Sequence, residues 1–410
     1  MATIASIGTY LPPWQQGTRR IKGPDEDTLT MAVAAGRAAD PVATARRVVF
    51  VSRSFPLLEG GNGAVLLAGL SLPADTPLTE VLGAAPAVLD QIATAPPGTL
   101  VVGADDVDSA MGGGAVLIGN GDDGATLRPV TRRTGSLPML ARTDDGSRHE
   151  YVDPRLQREV GIVKTAEALS LPEPIEVVGV AGTSASVLAR RFDTSAAIAQ
   201  SSSSAAAVIR LIADVLAGEK SGWIVAVEQS TVVIADLAQT DTASTIGRDE
   251  QPARELPATA VAAGTGIPIS LPAYARAFEP KLRWQAAVFD ERPGIDATPV
   301  FPPRMRVDRA GALVSDYRYE PLPRTGTVYT QTTVRIPVPD LPSPYSLAVV
   351  QLDDSPVRVL LKITGVPAGE ATIGQTGSIV LRKIATRAGI PDYGYAFWPN
   401  RHDDPRRVSP

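Results

Sequence analysis

The chain has 410 residues, more than a single hydrophobic core usually supports, so two domains are expected. Hydrophobic residues make up 44% and charged residues 20%, which excludes a disordered chain, while a net charge of −5 without any long Lys/Arg run excludes a global attraction to nucleic acid or anionic lipid. The apolar stretches 64–72 and 177–181 fall far short of the ~20 residues that cross a bilayer, and residues 1–10 lack the basic and apolar segments of a secretory signal, so no membrane association is expected and the expected location is cytoplasmic.

In chain order, residues 3–8 read as a short buried strand, followed by a turn-rich stretch, 11–23, with Pro12 and Pro13. Asp25 and Asp27 stand where the first N–H groups of a helix need acceptors, ahead of Leu29, Ala32, Ala35 and Ala38 at near-helical spacing. The β-branched run 47–52 predicts a strand, 79–92 a helix, and 99–103 a strand leading to Asp105 and Asp106. Residues 112–121, apolar between glycine clusters, read as a strand bounded by tight turns. A second cycle follows, with helix 153–169, strand 175–180, helices 183–192 and 203–216, and strand 222–227. This alternation predicts a mixed α/β layer fold for residues 1–245.

Composition then changes. Residues 246–273 are polar and proline-bearing and read as a linker, 274–283 as a helix, and 326–337, 345–352, 357–364 and 376–384 as strands separated by turns. Several short strands within 274–400 predict a small all-β barrel, with 401–410 as a tail. No internal repeat is visible in the sequence, and the serines 201–204 are its one low-complexity run.

The words Ile7-Gly8-Thr9-Tyr10-Leu11-Pro12, Gly23-Pro24-Asp25-Glu26-Asp27 followed by Thr30-Met31-Ala32-Val33-Ala34, and Val101-Val102-Gly103-Ala104-Asp105 resemble the hydroxymethylglutaryl-CoA synthase branch of the thiolase superfamily, close to ketoacyl-ACP synthase III. The resemblance extends to about Leu237. It implies a thiolase-like layered fold, a duplicated α/β unit in five layers, normally dimeric, with a CoA-thioester tunnel leading to a nucleophilic cysteine and to a glutamate, a histidine and an asparagine. That chemistry needs a thiolate, donors for a tetrahedral oxyanion and stabilisation of an enolate. The chain contains no cysteine, and its only histidines are His149 and His402. Carried over position by position, Ser54 takes the place of the glutamate, Gly83 or its neighbour that of the nucleophile and Val180 that of the histidine. The asparagine's place lies near Ala196.

Phe301-Pro302-Pro303-Arg304 and Gly326-Thr327-Val328-Tyr329-Thr330 resemble the thiolase-associated OB-fold family, over about residues 274–399. That resemblance implies an OB-fold barrel preceded by a zinc ribbon with four cysteines, a closed tetrahedral arrangement. The corresponding positions here are Pro293, Asp296, Val307 and Ala310, so no zinc is expected.

Other candidates weigh less. Gly182-Thr183-Ser184-Ala185-Ser186 resembles a nucleophile elbow in part, but Ser186 replaces its last glycine, and Ser184 reads better as a helix cap. His149 lies in a polar stretch that reads as a surface loop, and His402 in a charged tail. The acid pairs Asp105-Asp106, Asp122-Asp123 and Asp353-Asp354 read as turns and caps, and the glycine clusters 60–61 and 112–114 as backbone turns. Tyr393, Tyr395, Phe397 and Trp398 read first as core and second as a partner anchor; Phe397 and Trp398, with Phe301 and Arg304, are the interface candidates.

The expectation is a non-catalytic accessory subunit of an acyl-CoA thiolase or ketosynthase complex, acting as a homodimer or hetero-oligomer with a thiolase-like or ketosynthase-like partner. No resident cofactor is expected, with a CoA thioester as the ligand it would meet. The rival is a cysteine-independent acyltransferase or condensing enzyme on acyl-CoA or acyl-ACP thioesters, using Ser54, Ser184 or His149. A ligand-binding or purely structural homodimer is the third reading.

Overall fold

The computed structural model describes residues 1–399 except 59–60, 108–109, 122–123, 138–139, 144, 146, 172–175, 265–270, 338, 340 and 388. The chain forms two compact units, neither continuous in sequence. The first comprises Met1–Pro12, Met31–Leu66 and Leu72–Pro252, and the second Pro13–Thr30, Leu67–Ser71 and Ala253–Pro410.

The first unit is built on an 11-stranded sheet. Its first half holds β1 (Ala2–Leu11), β2 (Arg47–Ser52), β3 (Leu78–Leu82), β4 (Thr99–Val107) and β5 (Ala110–Ile118), and its second half β6 (Ala125–Thr134), β7 (Val177–Ala181), β8 (Ile198–Gln200), β9 (Gly222–Glu228) and β10 (Thr231–Ala238). The spatial order is β3-β2-β4-β5-β1 in one half and β8-β7-β9-β10-β6 in the other, so each strand has a counterpart five places on. In each half the three strands farthest from the join are parallel, and the strand beside them, β5 or β10, runs antiparallel to both neighbours. The halves join antiparallel through Ala2↔Leu127, Thr3↔Thr126 and Ile4↔Ala125, while Thr245–Glu250 adds a parallel strand against the rest of β1. The duplication absent from the sequence is therefore present in the topology, because hydrogen-bond order survives divergence that erases side-chain identity.

Helices α2 (Ala85–Thr94) and α3 (Ala205–Ala217) follow the third strand of each half, pack against each other, and touch strands of both halves. They share one apolar cluster with Val49, Val51, Val101 and Val116 from the first half and Val178, Ile224, Ala226 and Val233 from the second. The alternate residues Val180, Val225, Val227, Val232 and Ile234 fill a separate cluster with Ala166, Leu188 and Phe192. Both faces of the second-half strands are thus apolar, as the near-continuous runs 177–181 and 222–227 require. On the other face of the first half lies α1 (Thr28–Ala39), where a Cβ on Gly8 would meet the Ala35 carbonyl and one on Gly113 the Met31 carbonyl. The paired helices α2 and α3 lie between the two halves of the sheet, with α1 on the other face of the first half and the helices Ile162–Glu167 and Ala185–Leu188 on the other face of the second, a duplicated α/β layering.

The structure corrects four expectations. Residues 79–92 are not one helix: β3 pairs with β2 from Val48↔Leu78 to Ser52↔Leu82, and α2 starts only at Ala85. Leu78, Val81 and Leu82 imitate helical spacing, but the edge of the sheet supplies the backbone partners. Helix 153–169 breaks at Gly161 into Pro154–Val160 and Ile162–Glu167, and only Ala185–Leu188 is helical within 183–192. The glycines 112–114 lie within β5 rather than in turns.

The second unit carries β11 (Thr325–Val334), β12 (Tyr345–Leu352), β13 (Arg358–Ile363), β14 (Thr376–Arg387) and β15 (Ile390–Pro399), closed in the order β11-β12-β13-β15-β14. This five-stranded barrel is an OB-fold. Along β12, half-buried residues alternate with buried Ser346, Ala348, Val350 and Leu352, so one face fills the barrel. Ahead of the barrel, Ala287, Phe289, Ile295, Val300 and Val314 form a small apolar cluster. Among the described residues, no helix is long and apolar enough to cross a membrane.

Candidate functional site

In the first unit, charged and hydroxylic side chains gather where parallel strands end. Arg53 follows β2, Asp105 lies near the end of β4, Glu228 ends β9, and Ser203 sits just before α3. Both carboxylates come from the fourth strand of their half, so the duplicated topology brings them to one place, with Arg53 between them.

Asp105 is fully buried. Its Oδ1 accepts hydrogen bonds from Ser52 Oγ at 3.1 Å and the Arg53 N–H at 2.8 Å, its Oδ2 accepts from the Ala205 N–H at 2.7 Å, and Arg53 Nε lies 3.6 Å away. A carboxylate of the first half thereby caps the central helix of the second, with the N-terminal dipole acting in the same sense. The exchange is mutual, because the Ala85 N–H at the start of α2 donates to the Ser203 carbonyl at 2.9 Å. Burial pushes the Asp105 carboxyl above the usual carboxylate range, opposed by Arg53, the two N–H groups and Ser52.

Arg53 Nη1 donates to Glu228 Oε1 at 3.1 Å and to Ser203 Oγ at 3.3 Å. Burial pushes Glu228 up as well, with Arg53 pulling it down and the Asp105 charge adding a smaller upward push. One guanidinium thus serves two carboxylates, and each acid is held by a cation or by backbone donors.

Ser54 belongs to this network: its Oγ accepts from the Asp106 N–H at 3.1 Å and its own N–H donates to Ser52 Oγ at 2.9 Å. Ser184 is exposed, precedes the helix Ala185–Leu188 without a side-chain capping bond, and exchanges a 3.0 Å bond with Ser186. His149 is exposed on the hairpin strand Arg148–Glu150, paired with Ala141. His402 and the pair Asp122-Asp123 lie outside the described residues. Val180 points into the outer apolar cluster, and Gly83 lies in the turn between β3 and α2, where a Cβ would stand 2.5 Å from that of Ala87. The structure therefore brings Ser54 together with Arg53, Asp105, Ser203 and Glu228, and leaves Ser184 and His149 elsewhere. The signal for Asp105 and Glu228 was available: each is an acid at the end of an apolar run that reads as a strand buried on both faces.

In the second unit, Phe397 and Trp398 are core rather than surface, exposed by 0% and 3%. Phe301 is half-buried, its ring edge-on to Trp284 with centroids 4.8 Å apart, whereas Arg304 is exposed. The positions that a zinc ribbon would use do not fit a metal. Pro293, Val307 and Ala310 carry no donor side chain, and Asp296 is ion-paired with Arg306 at 3.0 Å. The apolar cluster around Phe289, Arg306 over its ring at 5.5 Å, and the Arg292–Asp316 pair at 2.7 Å hold that region instead.

The family described as the C-terminal OB-fold domain of ChsH2 matches residues 319–381. None of the curated proteins matches the chain. Among solved structures, 3-oxoacyl-[acyl-carrier-protein] synthase III from Aquifex aeolicus is similar at 14% identity and a TM-score of 0.48, covering 58% of this chain and all of that one. The corresponding synthase III from Thermus thermophilus gives 16% and 0.45 over 59% of this chain and 100% of that one. An OleA variant from Xanthomonas campestris, solved with bound lauric acid and lauroyl-CoA, gives 13% and 0.44 over 58% of this chain and 98% of that one.

Proposed function

We propose that this chain is a non-catalytic accessory subunit that helps a thiolase-like or ketosynthase-like partner handle acyl-CoA or acyl-ACP thioesters, assembling as a homodimer or hetero-oligomer. The observation that carries this reading is the state of the strand-end network. Asp105 is committed to capping α3, Glu228 to Arg53, and Ser54 to the Asp106 backbone, in a chain without cysteine. A general base or nucleophile must offer a lone pair to its substrate, and each of these groups already gives at least one to a contact that holds the fold. An OB-fold in the same chain, matched to a ChsH2 domain, supports an acyl-thioester setting.

The test is to purify the chain alone and with the products of its neighbouring genes, any thiolase or ketosynthase among them, and to follow acetyl-, acetoacetyl- and octanoyl-CoA by chromatography. No turnover by the isolated chain is expected, together with co-elution and a changed kcat of the partner. Turnover by the isolated chain that is lost in Ser54→Ala or Ser184→Ala would establish the cysteine-independent transferase instead.

A further inference from the structure

The second unit contains a cavity of about 280 Å³ on the outer face of the barrel. The turn at Lys22–Asp25, residues 256–259, residues 342–346 and the end of β13 with the turn after it enclose the space, and Trp14 forms part of its wall. Five of its lining residues are prolines, namely Pro24, Pro257, Pro342, Pro344 and Pro367. Fixed φ at so many lining positions gives a wall that needs little ordering when something binds.

Into this apolar lining the strand pattern sets a cation, Lys362. On β13, Val359, Leu361 and Ile363 face the barrel interior, so Lys362 stands on the outer face, beside Tyr345 of β12. Its Nζ lies 5.2 Å from the centroid of the Tyr345 ring and makes no hydrogen bond or ion pair with any described residue. The Trp14 indole N–H likewise has no acceptor among the described residues. The other ionisable lining residues are Lys22 and Asp25. Asp25 lies 3.9 Å from Arg382, a cation outside the lining, which offsets its charge. A half-buried ammonium beside an aromatic ring, with a second donor in the same wall and neither donating to a described residue, offers an anion two hydrogen-bond donors in an apolar setting, with Asp25 as the one carboxylate nearby.

We propose that this cavity binds a small organic carboxylate, with the carboxylate on the Lys362 ammonium and the Trp14 indole N–H and a compact apolar body against Tyr345 and the proline wall. Neither residue belongs to the strand-end network, so the site stands or falls independently of the accessory function. Burial pushes the Lys362 amine below the ordinary lysine range, with Asp25 opposing. A bound anion favours the charged form, so binding takes up protons, and affinity falls as pH rises through the depressed pKa of the free site.

The test is calorimetric titration of the full chain with phenylacetate and hexanoate against their neutral amides, phenylacetamide and hexanamide, and against inorganic phosphate. Saturable binding of a carboxylate is expected, at least tenfold tighter than its amide and than phosphate, with affinity declining at alkaline pH. Lys362→Met should weaken carboxylate binding at least tenfold, and the exposed-charge control Lys164→Met should leave it unchanged. Equal binding of acid and amide, tighter binding of phosphate, no saturation by either acid at 10 mM, or undiminished binding by Lys362→Met would each overturn the proposal. Should Lys362→Met fail to fold, the comparison of acid with amide on the unmodified chain and its pH profile decide alone.

Discussion

Burial and ion pairing act on Glu228 in opposite directions, and their balance is measurable. Burial is the larger effect and raises its carboxyl above the unfolded value, despite the 3.1 Å bond from Arg53. A carboxyl whose folded pKa is raised binds its proton more tightly in the native state, so its contribution to stability is present at acid pH and lost as pH rises through the folded pKa. Glu228→Gln keeps an oxygen for Arg53 and has no charge to bury. Relative to the unmodified chain, the variant should therefore gain thermal stability as pH rises above the ordinary carboxylate range, and the gain should level off once the folded Glu228 carboxyl is ionised, as read by calorimetric Tm at each pH. A variant that loses ground as pH rises would show that attraction to Arg53 outweighs desolvation. Such acids show how far a site can be read from one sequence. Asp105 is visible as an acid after an apolar strand, and reading it as a cap is correct, yet the helix it caps starts 100 residues later. Local rules describe caps within a few residues, and a cap across the pseudo-twofold leaves no local trace.

Among the elements, α3 is the clearest case of sequence and structure agreeing. Its apolar periodicity predicts 203–216 and the helix spans Ala205–Ala217, because the core demands the same spacing that the pattern displays. Residues 345–352 agree for the corresponding reason in a strand. Elements went unread where the partner, not the local pattern, decides: β6 and β10 are joined by a ladder from Thr231↔Thr134 to Ala238↔Thr126, and β15 hid as an aromatic-rich tail. The glycines within strands also have tertiary causes. Gly103 lies on β4 facing α3, where a Cβ would stand 2.6 Å from the Ala205 carbonyl oxygen and 3.2 Å from Val88 Cγ2. Relief would have to come from the capped first turn of α3, which Asp105 ties to the same strand. Gly103→Ala should therefore cost about 2–3 kcal/mol, seen as a lower urea midpoint at unchanged m, the cost of overpacking a closed core. An unchanged midpoint would mean that α3 moves away freely and that the cap from Asp105 is weak.

At the scale of the whole chain, the second unit draws on residues far from the barrel in sequence. Arg382 on β14 is 1% exposed, its Nη2 lies 3.5 Å from Glu26 Oε1 and its Nε 3.9 Å from Asp25 Oδ2, while the Tyr393 hydroxyl donates to Asp27 Oδ2 at 2.6 Å. Of the two acids that read as helix-start signals, Asp25 thus helps offset Arg382, and Asp27 both holds the Tyr393 hydroxyl and starts the helix, accepting the Thr30 N–H at 3.0 Å. A chain reduced to residues 253–400 keeps Arg382 stacked 5.2 Å from the Trp398 ring but removes Asp25 and Glu26. Leaving a buried charge without its partner costs about 3–5 kcal/mol, a large part of the stability of a small domain. The fragment should show weak near-UV dichroism and no cooperative melt. Arg382→Met within the fragment should restore both, because methionine fills similar space without a charge to bury. Adding a peptide of residues 13–30 in trans should rescue the unsubstituted fragment and leave the melt of the already folded Met variant unchanged. A fragment that melts as cooperatively as the full chain would show that water reaches Arg382 and that the amino-terminal acids serve α1 alone.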